Sequence, residues 1–335
     1  MFIYNIVIRK GIIMTNFQVY RKTLSFSLVM FLVDILELAL VVGCATAGFF
    51  MFQSSSEQAL IGLAVGLVIG IILAVLVGIF INNRVKAAQI AMMTKGVTEN
   101  ALPEHTYKEG FNEIKGRFGK ITAFFFITNA IKGIFRQIGR GINKLGTAIG
   151  GDAGNAVTSA IDSAIQTLIG YLCDCCLGWI LYRKNENAAR AGCEGAVIFF
   201  KHGKTLIRNI GRIFGMGLLS LLLIGGAFFG LFYLIFSQFP AMFETLSVEI
   251  LKAAEGGEGN LPDFVSDPKV LMIVVAAIGG IVIWSMIHKV LIRPFILVGV
   301  MRNFMAAGQK DLPSEADFNE LDSRSPKFAK LHNSF

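Results

Sequence analysis

Charge is scarce in this chain. Asp, Glu, Lys and Arg make up 16% of its 335 residues, where a soluble domain carries about 25%. That shortage argues against a soluble globular protein and for a polytopic membrane protein. Histidine is rarer still: His105, His202, His288 and His332 are scattered and form no His-Glu-x-x-His pair. There is no GxxxxGK[ST] phosphate loop and no GxSxG nucleophile elbow. The glycines of "GTAIGGDAG" (146–154) follow no strand pattern, so they do not make a dinucleotide fingerprint. The expectation is a protein that is not an enzyme and needs no cofactor and no metal. The cysteines (44, 173, 175, 176, 193) are odd in number and lie in or near apolar runs. That pattern excludes a secreted disulfide framework. The start "MFIYNIVIRKGIIMTNFQVYRK" also lacks the basic, apolar and small-residue order of a cleavable signal.

What the chain does have is long apolar runs. It is 54% hydrophobic, with 29 Phe and 36 Gly, and glycine is more frequent in membrane helices than in soluble ones. A span needs about 20 mostly apolar residues. Segments 58–83 and 213–243 carry no charge, and 270–287 is uncharged between Lys269 and His288. Segment 28–52 qualifies only with Asp34 and Glu37 inside it, and 163–182 only with Asp174. Segment 121–145 begins apolar and turns basic. The fold class expected is an all-α, polytopic helical bundle of about six spans.

The formal charge of +8 fits cytoplasmic segments rich in Lys and Arg, so nucleic acid is not the expected partner. Segments 1–23, 84–120 and 183–212 are basic, whereas 244–269 holds Glu244, Glu249, Glu255, Glu258, Asp263 and Asp267 against Lys252 and Lys269. These flanks place both termini in the cytoplasm and an acidic loop, 240–269, outside the cytoplasmic membrane. Segment 119–183 begins and ends inside. It reads either as a hairpin of 121–145 and 160–182, or as a surface helix followed by a re-entrant dip.

"KGIFRQIGR" (132–140) recurs as "KTLIRNIGR" (204–212), and "LPEHTYKEGFNEIKGRFGKI" (102–121) resembles "LPSEADFNELDSRSPKFAKL" (312–331). These echoes suggest parallel two-span repeats with amphipathic cytoplasmic helices, divided as 1–120, 121–203 and 204–335. Lys132, Arg136, Arg140 and Lys144 form one helical stripe, and Lys201, Lys204, Arg208 and Arg212 form another. Each stripe reads either as a contact for anionic lipid headgroups or as the lining of a path for an anionic group. Asp34 and Glu37 share a helix face, either at an intramembrane site or at the cytoplasmic boundary. Asp162 and Asp174 would pair with Lys132 and Arg136 if the middle segment is a hairpin. Gly62, Gly66 and Gly70 make a double GxxxG, a signal for close helix packing.

In "YLCDCCLGWILY" (171–182), Cys173 and Cys176 share a face while Cys175 points about 200° away from Cys173. Three such thiols cannot close around one ion without breaking the helix. They read as neutral packing thiols or as a redox-sensitive or acylated cluster near the inner leaflet.

"GKITAFFFITNAIKGIFRQIGR", "CDCCLGW", "NENAA" and "LIRNIGR" follow one another between Gly119 and Arg212. In this order they resemble the choline transporter-like family. The resemblance implies a transporter for a small cationic amine alcohol. That family has more spans and a large extracellular domain after the first, where this chain has only the short link 53–58, so no binding residue is carried over. The function expected is passage of a small solute or lipid-like molecule across the membrane. The alternative is a non-transporting scaffold, assembly or regulatory subunit. Membrane lipids, a small-molecule substrate and a second copy of the chain are the partners these readings imply.

Overall fold

A computed structural model describes residues 14–52, 55–115, 128–136, 154–207, 210–254 and 267–334. At 56–57, 154–165, 203–207, 210–214 and 252–254 it describes the backbone alone. Among the described residues all regular structure is helical and there is no strand. Proline placement suits this. Pro240, Pro268 and Pro326 each open a helix, where a missing N–H costs nothing.

Four helices are long and apolar enough to cross a membrane: Asn16–Met51, Gln58–Thr98, Gly215–Phe236 and Pro268–Lys310. This is a membrane protein with four such helices among its described residues, where the sequence suggested about six spans. Segment 121–145 lies outside the described residues except for 128–136. The other missing span, 163–182, falls within the helix Gly154–Tyr182, whose residues Leu168, Ile169 and 171–181 are buried by protein.

The chain forms two compact units, each assembled from separate segments. The first comprises residues 1–28, 84–214 and 293–335, and the second comprises 29–83 and 215–292.

The second unit carries most of the exposed apolar surface. Leu32, Val42, Ile61, Val68, Leu222, Leu234 and Ile278 are each between 54% and 65% exposed. An apolar surface of this kind suits lipid rather than water. Within the unit, the first helix and Ser56–Val77 run antiparallel in backbone contact. A methyl added at Gly62 would strike the carbonyl oxygen of Gly48, one at Gly66 would strike that of Cys44, and one at Gly70 would come 2.7 Å from the Val41 Cα. The double GxxxG is therefore a packing seam. Gly66→Leu should cost about 1–3 kcal/mol by overpacking, because backbone cannot move aside as a side chain can. Gly43 has nothing within 4 Å of an added Cβ, so Gly43→Ala is the control expected to leave the unfolding temperature in detergent unchanged.

A second seam brings Gly280 to 2.9 Å, measured from an added Cβ, from both the Gly225 carbonyl oxygen and the Phe229 nitrogen. Trp284 Nε1 donates to Ser220 Oγ at 3.0 Å. Among the described residues three π-helical turns interrupt this unit: Gly78–Asn82, Leu221–Gly225 and His288–Ile292. The last one immediately precedes Arg293–Pro294. Pro294 lacks the N–H that would bond back to Val290 in a regular helix, a common cause of a local change in helical winding.

The first unit has a conventional core. Trp179, Tyr171, Phe26, Phe304, Phe328, Ile90, Met92 and Met93 are all essentially inaccessible. The cysteine helix is hemmed in on every side. An added Cβ at Gly178 would meet Thr94 Oγ1 at 2.6 Å, one at Gly195 would meet Cys176 Sγ at 2.9 Å, and one at Gly308 would meet the Trp179 ring at 2.6 Å. Ser314 and Asp317 form a reciprocal capping box at the helix Glu315–Arg324.

Candidate functional site

Two buried carboxylates organise the candidate sites, one in each unit. In the second unit Asp34 is only 6% exposed. Its Oδ1 accepts from Lys289 Nζ at 2.6 Å and from Asn82 Nδ2 at 3.1 Å. The same Asn82 amide nitrogen donates to Glu37 Oε1 at 2.9 Å. Asn82 ends one π-helical turn and Lys289 sits in another; such turns occur often at functional sites. Gly78, which opens the first of these turns, leaves room for Glu37: an added Cβ would lie 2.9 Å from Glu37 Oε1.

At about 1.5 Å per residue, Asp34 lies about 27 Å down its helix from Phe52. A hydrocarbon core is about 30 Å thick. An apolar layer of that thickness reaching Phe52 would have its other edge near the pair. Asp34 itself is enclosed by protein rather than released to water. Asp34 Oδ2 and Asn82 Oδ1 are both buried, and neither has a hydrogen-bond partner among the described residues.

In the first unit Asp174 is 4% exposed. Its Oδ1 pairs with Lys86 Nζ at 2.6 Å and its Oδ2 with Arg293 Nη2 at 2.6 Å. The Arg293 guanidinium also lies 5.5 Å from the Tyr171 ring centroid. The Tyr171 hydroxyl is buried without a partner among the described residues. The expectation that Asp174 needs a partner holds, but the partners differ from those expected. Lys132 and Arg136, exposed on the helix 128–136, instead line a pocket of about 710 Å³ with Asn129, Gly133, Gln166 and Lys327. The described lining offers three cationic and two amide side chains.

The second basic stripe is described only at Lys201. Its ammonium is held by Asp311 at 3.0 Å and by Asp317 at 3.2 Å, so the protein's own acids engage it. Arg140, Lys144 and Arg208 lie outside the described residues, as do the side chains of Asp162, Lys204 and Arg212. Asp34 and Glu37 both accept from Asn82, Lys132 and Arg136 share the pocket, and Asp174 stands with Lys86 and Arg293.

Cys173, Cys175, Cys176 and Cys193 are buried and free. Burial, reinforced by Asp322 and Glu194, pushes the Cys193 thiol up to about 12, so it stays protonated at neutral pH. No group of three or more His, Cys, Asp or Glu side chains able to hold a metal occurs among the described residues.

Sequence reasoning missed Asn82, Lys86, Lys289 and Arg293. It counted Lys86 only within the basic segment 84–120 and gave Lys289 and Arg293 no role. One signal was available: Lys289 and Arg293 stand four apart after an uncharged run, on one helix face.

No family model, curated protein or solved structure matches this chain. Any functional reading therefore rests on its own residues.

Proposed function

We propose that this membrane protein moves a small solute or lipid-like molecule carrying an anionic group across the cytoplasmic membrane, with both termini on the cytoplasmic side. The Asp34 cluster carries the reading. An ionisable residue kept inside an apolar unit, when it could extend to the surface, marks a substrate or ion path by default. The basic pocket of the first unit supports the sign of the solute. Under this reading the stripe residues Arg140, Lys144, Lys204, Arg208 and Arg212 contact anionic headgroups.

The test is uptake and efflux by the purified protein in liposomes against anions, amines and lipids. An anionic solute is expected to move. Lys132→Glu should raise its half-saturating concentration about tenfold, the equivalent of one lost charge-assisted hydrogen bond. Flux confined to amine alcohols would favour the choline transporter-like resemblance instead.

A second reading has its own support. In the first unit Asp174 is taken up by an ion-pair triad with Lys86 and Arg293, a structural use of buried charge that suits a non-transporting scaffold or regulatory subunit. Folded protein that moves nothing in the panel would establish that reading.

A further inference from the structure

Among the described side chains of its unit, the cluster around Asp34 is short of one positive charge. Asp34 and Glu37 bring two carboxylates, and Lys289 brings one ammonium. Lys269, the other lysine of this unit whose side chain is described, is about 30 Å away along the same helical run at 1.5 Å per residue. An uncompensated negative charge at the edge of an apolar layer is costly to hold.

The cluster is also short of partners for its oxygens. Asp34 Oδ2 and Asn82 Oδ1 are buried acceptors with nothing to accept from among the described residues. The two belong to hydrogen-bonded neighbours, since Asn82 donates to Asp34 through its other amide atom. Glu37 stands on the same amide. Carboxylate and amide carbonyl oxygens are hard donors, the kind that select alkali and alkaline-earth ions over soft metals. The charge decides between these two classes. A net charge of minus one balances a monovalent ion, and the absence of a third acidic ligand among the described residues leaves too little charge for a dedicated divalent site.

We propose that Asp34, Glu37 and Asn82 form a binding site for one monovalent metal cation, sodium being the probe, with the Lys289 ammonium as the resident competitor for Asp34. The π-helical turns give the site its shape. Each places a polar residue, Asn82 or Lys289, where a helix continues from an otherwise apolar run. A bound ion would neutralise the cluster and loosen the hold of Asp34 on Lys289. That makes it the natural driving ion for the transport reading. Binding is read without any flux, so this site and the transport reading fail separately.

The experiment uses the full chain in detergent at constant pH. Sodium chloride replaces choline chloride at fixed ionic strength while thermal unfolding is followed. In parallel, radioactive sodium binding is counted per protein. The expected result is a saturable rise in the unfolding midpoint with sodium and about one sodium bound per chain. Asp34→Asn and Glu37→Gln should each weaken sodium binding at least tenfold. Glu37→Gln is the backup if Asp34→Asn does not fold. No sodium-dependent shift and no bound sodium in the unmodified protein would overturn the proposal. So would equal binding in both variants, or a cluster filled by protons alone, seen as proton uptake that sodium does not displace.

Discussion

Replacing Asp174 with alanine should destabilise the protein by about 3–5 kcal/mol, the cost of breaking a buried ion pair from one side. The carboxylate serves two cations at once. Lys86 and Arg293 approach its two oxygens at 2.6 Å each, and removing it leaves two positive charges facing one another. Their side chains are 32% and 27% exposed, so water recovers part of the loss and the lower end of the range is expected. Two companion variants separate charge from shape. Asp174→Asn keeps an acceptor but should still lose most of the effect. Lys86→Met combined with Arg293→Met in the alanine background should recover stability, because no cation is then stranded. Denaturant unfolding in detergent measures all of these. An alanine variant within about 0.5 kcal/mol of the unmodified protein would show that the triad contributes little.

Trp179→Ala should be as damaging, at about 3–5 kcal/mol for deleting a large buried aromatic. Trp179 has no exposed surface. Its indole N–H donates to Glu194 Oε2 at 2.8 Å, and Phe304 packs edge-on to it at 6.5 Å between centroids. Glu194 is itself buried and also accepts from Arg183 Nε at 3.1 Å. The substitution therefore opens a cavity and also removes a donor from an enclosed carboxylate. Trp179→Phe isolates the second effect. It keeps most of the volume and should cost about 1.5–3 kcal/mol, the loss of one hydrogen bond to a charged acceptor that Arg183 still serves. Equal losses for Phe and Ala would mean that packing is not the main role of the ring.

These two sites show what the sequence could and could not reveal. The uncharged runs 58–83, 213–243 and 270–287 announced membrane helices by length alone, and all three reappear within or across the apolar helices. Asp34, Glu37 and Asp174 were visible because a carboxylate inside an apolar run is conspicuous. Their partners were not. Lys289 lies 255 residues from Asp34, and Arg293 lies 119 from Asp174; no local period carries such pairings. The stretch 168–181 is ambiguous for a physical reason. A helix apolar on all sides suits either lipid or a protein core, and composition does not distinguish the two. Its small residues, Gly170 and Gly178, were the one hint of close protein neighbours.

The first unit draws on both ends of the chain. Arg302 donates to Asn16 Oδ1 at 2.8 Å and to the Met14 carbonyl at 2.6 Å. Thr94 Oγ1 reaches Met301 Sδ at 3.4 Å. On the ribosome these partners are separated in time. At about 5–20 residues per second, Arg302 emerges roughly 15–60 s after Asn16. Throughout that interval Val19, Phe26 and the cysteine helix wait for the segment that seals them. The apolar helices of the second unit meanwhile emerge one after another. Membrane insertion therefore begins before the first core can close, and a chain stopped anywhere short of Arg293 leaves that core open to chaperones and proteases.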